Sequence, residues 1–86
     1  MTRAGMTREA IGDAVRVVLA TAFDRPVGPG EEVKRLDEPT WDSVKHIDIL
    51  FMLEEELGIT FDESEIPALD SVGAITDRAA VHLGVR

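Results

Sequence analysis

Residues 41–58 read Trp41-Asp42-Ser43-Val44-Lys45-His46-Ile47-Asp48-Ile49-Leu50-Phe51-Met52-Leu53-Glu54-Glu55-Glu56-Leu57-Gly58, and the spacing of their apolar side chains decides the fold. The stretch predicts one helix over 43–57, about four turns long. Asp42 or Ser43 stands where a cap belongs, because a short oxygen side chain accepts from the first free backbone N–H groups. Gly58 stands where a helix ends in a residue of positive φ. At about 100° per residue the large apolar residues fall into two stripes. Leu50, Leu53 and Leu57, with Ile49 at the edge, make one broad enough to face a core. Val44, Ile47 and Phe51 make a second, roughly 120° away. Asp48 and Glu55 border this second stripe, and Glu54 lies between the two. A small domain buries one face of such a helix; the other is built for a partner.

Upstream, Ile11, Val15, Val18, Leu19 and Ala22 recur at helical spacing. A first helix is expected over 7–23, with Thr7 as its cap and Met6 and Ile11 in the staple arrangement. Residues 1–5 are expected to be disordered. Pro26 disfavours helical geometry at Arg25 and stops the helix before it. The connection from Asp24 to Trp41 holds Pro26, Gly28, Pro29, Gly30 and Pro39, and loops this long are uncommon unless functional or packed down. Val33 and Leu36 are its expected anchors, around a single helical turn. Its glycines do not make a phosphate loop, having neither the lysine signature nor a preceding strand.

Downstream, Asp62 is placed to cap, Glu65 to reach back as its partner and Phe61 to staple against Ile66. Pro67 limits this third helix to about 62–66. Ser71 caps a fourth over 71–83, with Val72, Ile75, Ala79 and Leu83 on one face. Gly84 ends it, and His82 lies in the last turn, where the helix dipole favours a cation. The expected fold is all-α: a small four-helix bundle of three longer helices and one short third helix, with a long loop between the first two. The 86 residues are read as a single domain, 1–86, with one modest core.

The formal charge is −8 and it is unevenly spread. Residues 1–41 carry a net −1, residues 42–65 a net −7 with Lys45 as their only base, and residues 66–86 balance. Such a field repels nucleic acid, whose binding rests on neutralising phosphates, and attracts basic protein surfaces. Acidic charge alone would be no more than a solubilising face; beside an unburied apolar stripe it points to docking. The chain has no cysteine, so neither disulfides nor thiolate metal sites are available. No run approaches membrane-spanning length and no signal peptide is evident. A cytoplasmic monomer is expected.

Ser43 is the residue placed for chemistry. At the start of the central helix, unpaired N–H groups and the dipole make a ready site for an anion, including a phosphate carried on the serine itself. On helix physics alone, a plain cap is the commoner role. Asp42-Ser43-Val44, followed by a helix ending Leu53-Glu54-Glu55-Glu56-Leu57-Gly58-Ile59, resembles the signature region of acyl carrier proteins. The helix order, long first loop, short third helix and acidic central helix are similar too, over about residues 7–84. In that family the serine of an Asp-Ser-Leu motif is modified with the 4′-phosphopantetheine of coenzyme A, whose thiol carries acyl groups as thioesters between enzymes.

The resemblance implies Ser43 as attachment site, Asp42 as its motif partner, and Val44, Ile47, Asp48, Phe51, Glu54 and Glu55 as partner-facing positions. It also implies a phosphopantetheinyl transferase, and acyl-loading and acyl-transfer enzymes of acyltransferase, ligase or ketosynthase type with basic surfaces. Val44 stands where leucine is usual. The Trp41-Asp42-Ser43 form is more similar to discrete carriers of specialised pathways, polyketide or related, than to fatty-acid carriers, and no Gly-Gly precedes the serine as in many peptidyl carriers. Expected, then, is a carrier without catalytic residues, bound metal, nucleic-acid partner or membrane partner.

Two other classes compete. Asp42, Ser43 and His46 hold triad letters, but residues along one helix turn lack a triad's geometry, and there is no nucleophile elbow. Asp42, His46 and Asp48 would make a thin metal site. The second class is an unmodified helical interaction module using the Val44, Ile47 and Phe51 stripe. It shares every feature except a reactive Ser43.

Overall fold

Three capped segments become α-helices: α1 (Arg8–Phe23), α2 (Ser43–Leu57) and α3 (Val72–His82). A six-residue 3₁₀ helix (Glu63–Ala68) and a 3₁₀ turn (Arg35–Asp37) lie in the two connections. The computed structural model describes residues 6–85; the expected disorder of residues 1–5 lies outside the described residues. Among them there is no strand, only an isolated bridge between Lys34 and Ser71. Among the described residues no helix is long and apolar enough to cross a membrane.

α1 starts where Thr7 accepts from the Ala10 N–H at 3.1 Å. It ends on Asp24, whose φ of 52° is left-handed, a conformation that Asp tolerates better than most side chains. Its face Ile11, Val15, Val18 and Leu19 is buried, and it packs against both α2 and α3. Ile49, Leu50, Leu53 and Leu57 of α2 and Val72, Ile75, Ala79 and Ala80 of α3 complete the core with Leu69 and Phe61. Ile49, expected at the stripe's edge, is fully buried. α1 is therefore the helix the others pack on.

The long loop is tied to the start of α3. Arg35 N–H donates to Asp70 O at 2.8 Å and Val72 N–H to Val33 O at 3.0 Å. Val33 is buried as expected, but Leu36 is 94% exposed and is not an anchor. Pairing on both sides of Lys34 fixes the local backbone, and the tight turn that follows sends Leu36 outward. Trp41 takes the anchoring role instead: it is buried, its carbonyl accepts from Arg35 Nε at 3.1 Å, and its ring lies 5.6 Å from that of Phe23.

The third helix differs in type and length from the expected 62–66. It is 3₁₀, and it runs through Pro67 to Ala68. A missing N–H removes one bond from so short an element, and Leu69 N–H closes the end on Ile66 O at 3.2 Å. Its capping box forms as read: Asp62 N–H donates to Glu65 Oε2 at 2.6 Å. Glu65 also receives Arg78 Nε at 2.6 Å and meets His82 Nε2 at 2.9 Å, so it ties the short helix to α3. The Asp62 N–H, then His82 and Arg78, hold the Glu65 carboxyl down at about 2.

Candidate functional site at the start of α2

The α2 cap is Asp42, not Ser43. Its Oδ1 accepts from the Lys45 N–H at 2.8 Å, and its carbonyl accepts the first helical bond, from His46 N–H at 2.9 Å. Ser43 is thus the first helical residue, exposed, and its hydroxyl makes no hydrogen bond to any described residue. The N–H groups of Ser43 and Val44 likewise have no partner among the described residues. A hydroxyl and two free N–H groups at the positive end of a helix dipole can receive a phosphate diester without displacing a native contact.

The same tripeptide recurs at Asp70-Ser71-Val72, a repetition that the reading by elements passed over, and there it folds one residue out of register. Ser71 is the cap, half-buried, its hydroxyl taken up by the Ala74 N–H at 3.0 Å. Asp70 precedes the cap and gives its carbonyl to Arg35, while Val72 is buried at 2% exposure. The apolar phase behind each motif sets this register. In α3 the buried positions are 72, 75, 76, 79 and 80, so the valine falls in phase with the core. In α2 they are 46, 49, 50, 53 and 57, so Val44 falls out of phase and stays 72% exposed.

What lies beneath Ser43 is rigid. His46, one turn along, is buried at 4% exposure. Its Nδ1 accepts from the Trp41 indole N–H at 2.9 Å, and its Nε2 lies 2.9 Å from Ile66 O. An indole N–H only donates and a carbonyl only accepts, so this arrangement places the imidazole proton on Nε2. Neither nitrogen is left to act as a base toward Ser43 or to bind a metal with Asp42 and Asp48. The loop, α2 and the short helix are joined at one point under the α2 N-terminus.

Along α2 the second stripe faces solvent: Ile47 is 43% and Phe51 65% exposed. Asp48 and Glu55 are exposed beside it. Glu54 is different, being half-buried, with Oε2 accepting from the Phe61 N–H at 2.8 Å. Its carboxylate holds the chain after α2 in place, a bond seven residues long that periodicity alone does not reveal. No protein-family model, no curated protein and no solved structure matches the chain. Function has to be argued from the site itself.

Proposed function

We propose that the protein is a non-catalytic acyl carrier protein. It would hold an acyl or aminoacyl group on a 4′-phosphopantetheine arm at Ser43 and deliver it to enzymes of polyketide, fatty acid or related biosynthesis. The observation that carries this reading is the exposed, unbonded Ser43 hydroxyl at the first position of a helix already capped by Asp42. An unmodified interaction module would have no use for that division of labour, whereas Ser71 in the same tripeptide is consumed as a cap.

The arm supplies a terminal thiol on which acyl groups are carried as thioesters. The residues of the chain do the rest. Asp42 keeps the first turn closed, the Ser43 and Val44 N–H groups would receive the phosphate oxygens, and Trp41 and His46 keep the serine from shifting relative to the core. Val44, Ile47 and Phe51 present an apolar strip within reach of the attachment point, with Asp48 and Glu55 drawing basic partners by long-range attraction. The residues present fit the group, since nothing native must be broken to attach it.

The test is intact mass before and after incubation with coenzyme A, Mg²⁺ and a broad-specificity phosphopantetheinyl transferase. One phosphopantetheine is expected on the wild type and none on Ser43→Ala. No gain with several transferases, or a gain that persists in Ser43→Ala, overturns the carrier reading.

A further inference from the structure

A cleft of about 650 Å³ lies between α1, the start of α3 and the loop at Pro29 and Gly30, and these segments supply all of its lining. Gly12 of α1 and Gly73 of α3 keep it open. Neither has a positive φ, so no turn demands them, and glycine inside a helix costs stability relative to alanine. What they provide is room. A Cβ on Gly12 would lie 3.2 Å from Arg16 Nη1 and 3.7 Å from Thr76 Oγ1, and one on Gly73 would lie 2.9 Å from Glu32 Oε2. All three side chains have bonding capacity to spare. Thr76 is 8% exposed, and its Oγ1 has no partner among the described residues. Arg16 donates its Nε–H to Glu31 O at 2.9 Å, but Nη1 has only Asp13 Oδ1 at 3.5 Å, so most of its five donors lack a close acceptor. Glu32 is fixed through Oε1, which accepts from the Gly73 N–H at 2.9 Å, and its Oε2 remains to accept.

We infer that this cleft binds a small α-amino acid as its zwitterion, with the carboxylate between Arg16 and Thr76 and the ammonium on Glu32. The arrangement of donors and acceptors selects that class. Guanidinium and hydroxyl both lie within 4 Å of the position a Gly12 Cβ would take, so one carboxylate there can accept from both. The acceptor stands at Gly73, which is three residues from Thr76 and therefore its neighbour on one helix face, about 5–6 Å away. An amino and a carboxyl group on one carbon bridge such a gap once each adds a hydrogen bond of about 3 Å. A simple anion would gain Arg16 and be repelled by Glu32, with Glu9 and Asp13 also in the lining; a simple cation would gain Glu32 and be repelled by Arg16 and Arg8. A molecule carrying both charges satisfies both sides. Pro29 and Val72 leave an apolar wall for an aliphatic side chain. An unpaired buried hydroxyl destabilises a fold, and a ligand that uses the Thr76 hydroxyl accounts for its place here. The cleft and Ser43 lie on different elements, so the inference stands apart from the carrier reading.

The probes are L-alanine, propionate and ethylammonium, titrated separately at neutral pH into isotope-labelled full-length protein. The readout is the amide shifts of Gly12, Gly73 and Thr76. L-Alanine is expected to shift all three with saturation and to bind about tenfold or more tightly than either half-molecule. Thr76→Val keeps the shape and removes the hydroxyl; it should weaken L-alanine binding about tenfold or more while melting no earlier than the wild type. Gly12→Ala places a methyl group where the carboxylate would sit and should abolish binding, although alanine is the better helix former. Glu32→Gln should erase the advantage of L-alanine over propionate. Val81→Gln, at a valine of α3 that is 60% exposed, should leave affinity within about twofold. Thermal melts check that every variant folds. Propionate binding as tightly as L-alanine would make this a simple anion site, and ethylammonium doing so a simple cation site; either result overturns the inference. So does L-alanine that shifts nothing, or affinity unchanged in both Thr76→Val and Gly12→Ala.

Discussion

Asp42-Ser43-Val44 and Asp70-Ser71-Val72 start two helices with the same three residues and assign them different tasks. In α3 the serine closes the helix end and the valine enters the core. In α2 the aspartate closes the end, the serine is left over and the valine faces solvent. Helix propensity at the motif cannot distinguish the two, since Ser and Asp cap about equally well. The distinction comes from the core residues that follow, whose phase rotates one start by about a residue relative to the other. A displaced cap can therefore leave a serine exposed and unbonded at a helix start.

The sharpest break of this comparison is chemical. Ser71→Ala is expected to take up phosphopantetheine as fully as the wild type while Ser43→Ala takes up none; labelling of Ser71 in intact protein would make the two starts equivalent. Next in size is the valine pair. Val72→Ala removes buried methyl groups and is expected to lower stability by roughly 2 kcal/mol, whereas Val44→Ala should change it by less than about 0.5 kcal/mol. Equal melting losses would mean that the two phases are the same.

The serines themselves should show a smaller, opposite asymmetry. Ser71→Ala is expected to cost about 1 kcal/mol as a lost cap, and Asp42→Ala a similar amount. Ser43→Ala should be neutral or slightly stabilising, alanine being the better helix former. Denaturant midpoints of the three variants measure this directly.

Acid acts on the far end of α3 and not on its start. Glu65 ties the short helix to α3, and its carboxyl is held at about 2 in the folded chain, against about 4.3 in an unfolded one. Its contribution is present above the unfolded value and fades as pH falls toward the folded one. Stability of the wild type should therefore decline between about pH 5 and pH 2, and Glu65→Gln should flatten part of that slope. An unchanged slope would leave Glu65 without a role at that joint. The smallest effect is expected at Thr76, whose Oγ1 is buried without a partner among the described residues. Thr76→Val should hold or slightly raise the melting temperature, because it removes a polar atom that folding leaves unpaired.

What could be read from the chain depended on distance along it. Caps at Thr7, Ser71 and Asp62 with Glu65, and the helix ends at Asp24 and Gly58, involve residues a few positions apart and are visible locally. The exposure of Val44, Ile47 and Phe51 followed from periodicity against the leucine face. Leu36 did not, because its direction is set by pairing with α3 rather than by its neighbours. Glu32 accepting from the Gly73 N–H spans 41 residues and has no local signature. The burial of His46 has no local signature either, because it depends on Trp41 and Ile66 being brought to its ring.

The packing of α1 against both other helices has a consequence for how the protein is made. α1 leaves the ribosome first, and α3, one of its two main packing partners, leaves last. Until Val72 to Ala80 have been synthesised, Ile11, Val15 and Leu19 lack part of the surface that buries them, and the nascent chain holds an apolar face in water. Contacts between sequence-distant elements are formed late because the intervening chain must first be closed. Ser43 is thus translated well before the core beneath it can close. The order of synthesis separates the exposure of the serine from the formation of a rigid platform for it, and a chain stalled before α3 would be expected to engage chaperones.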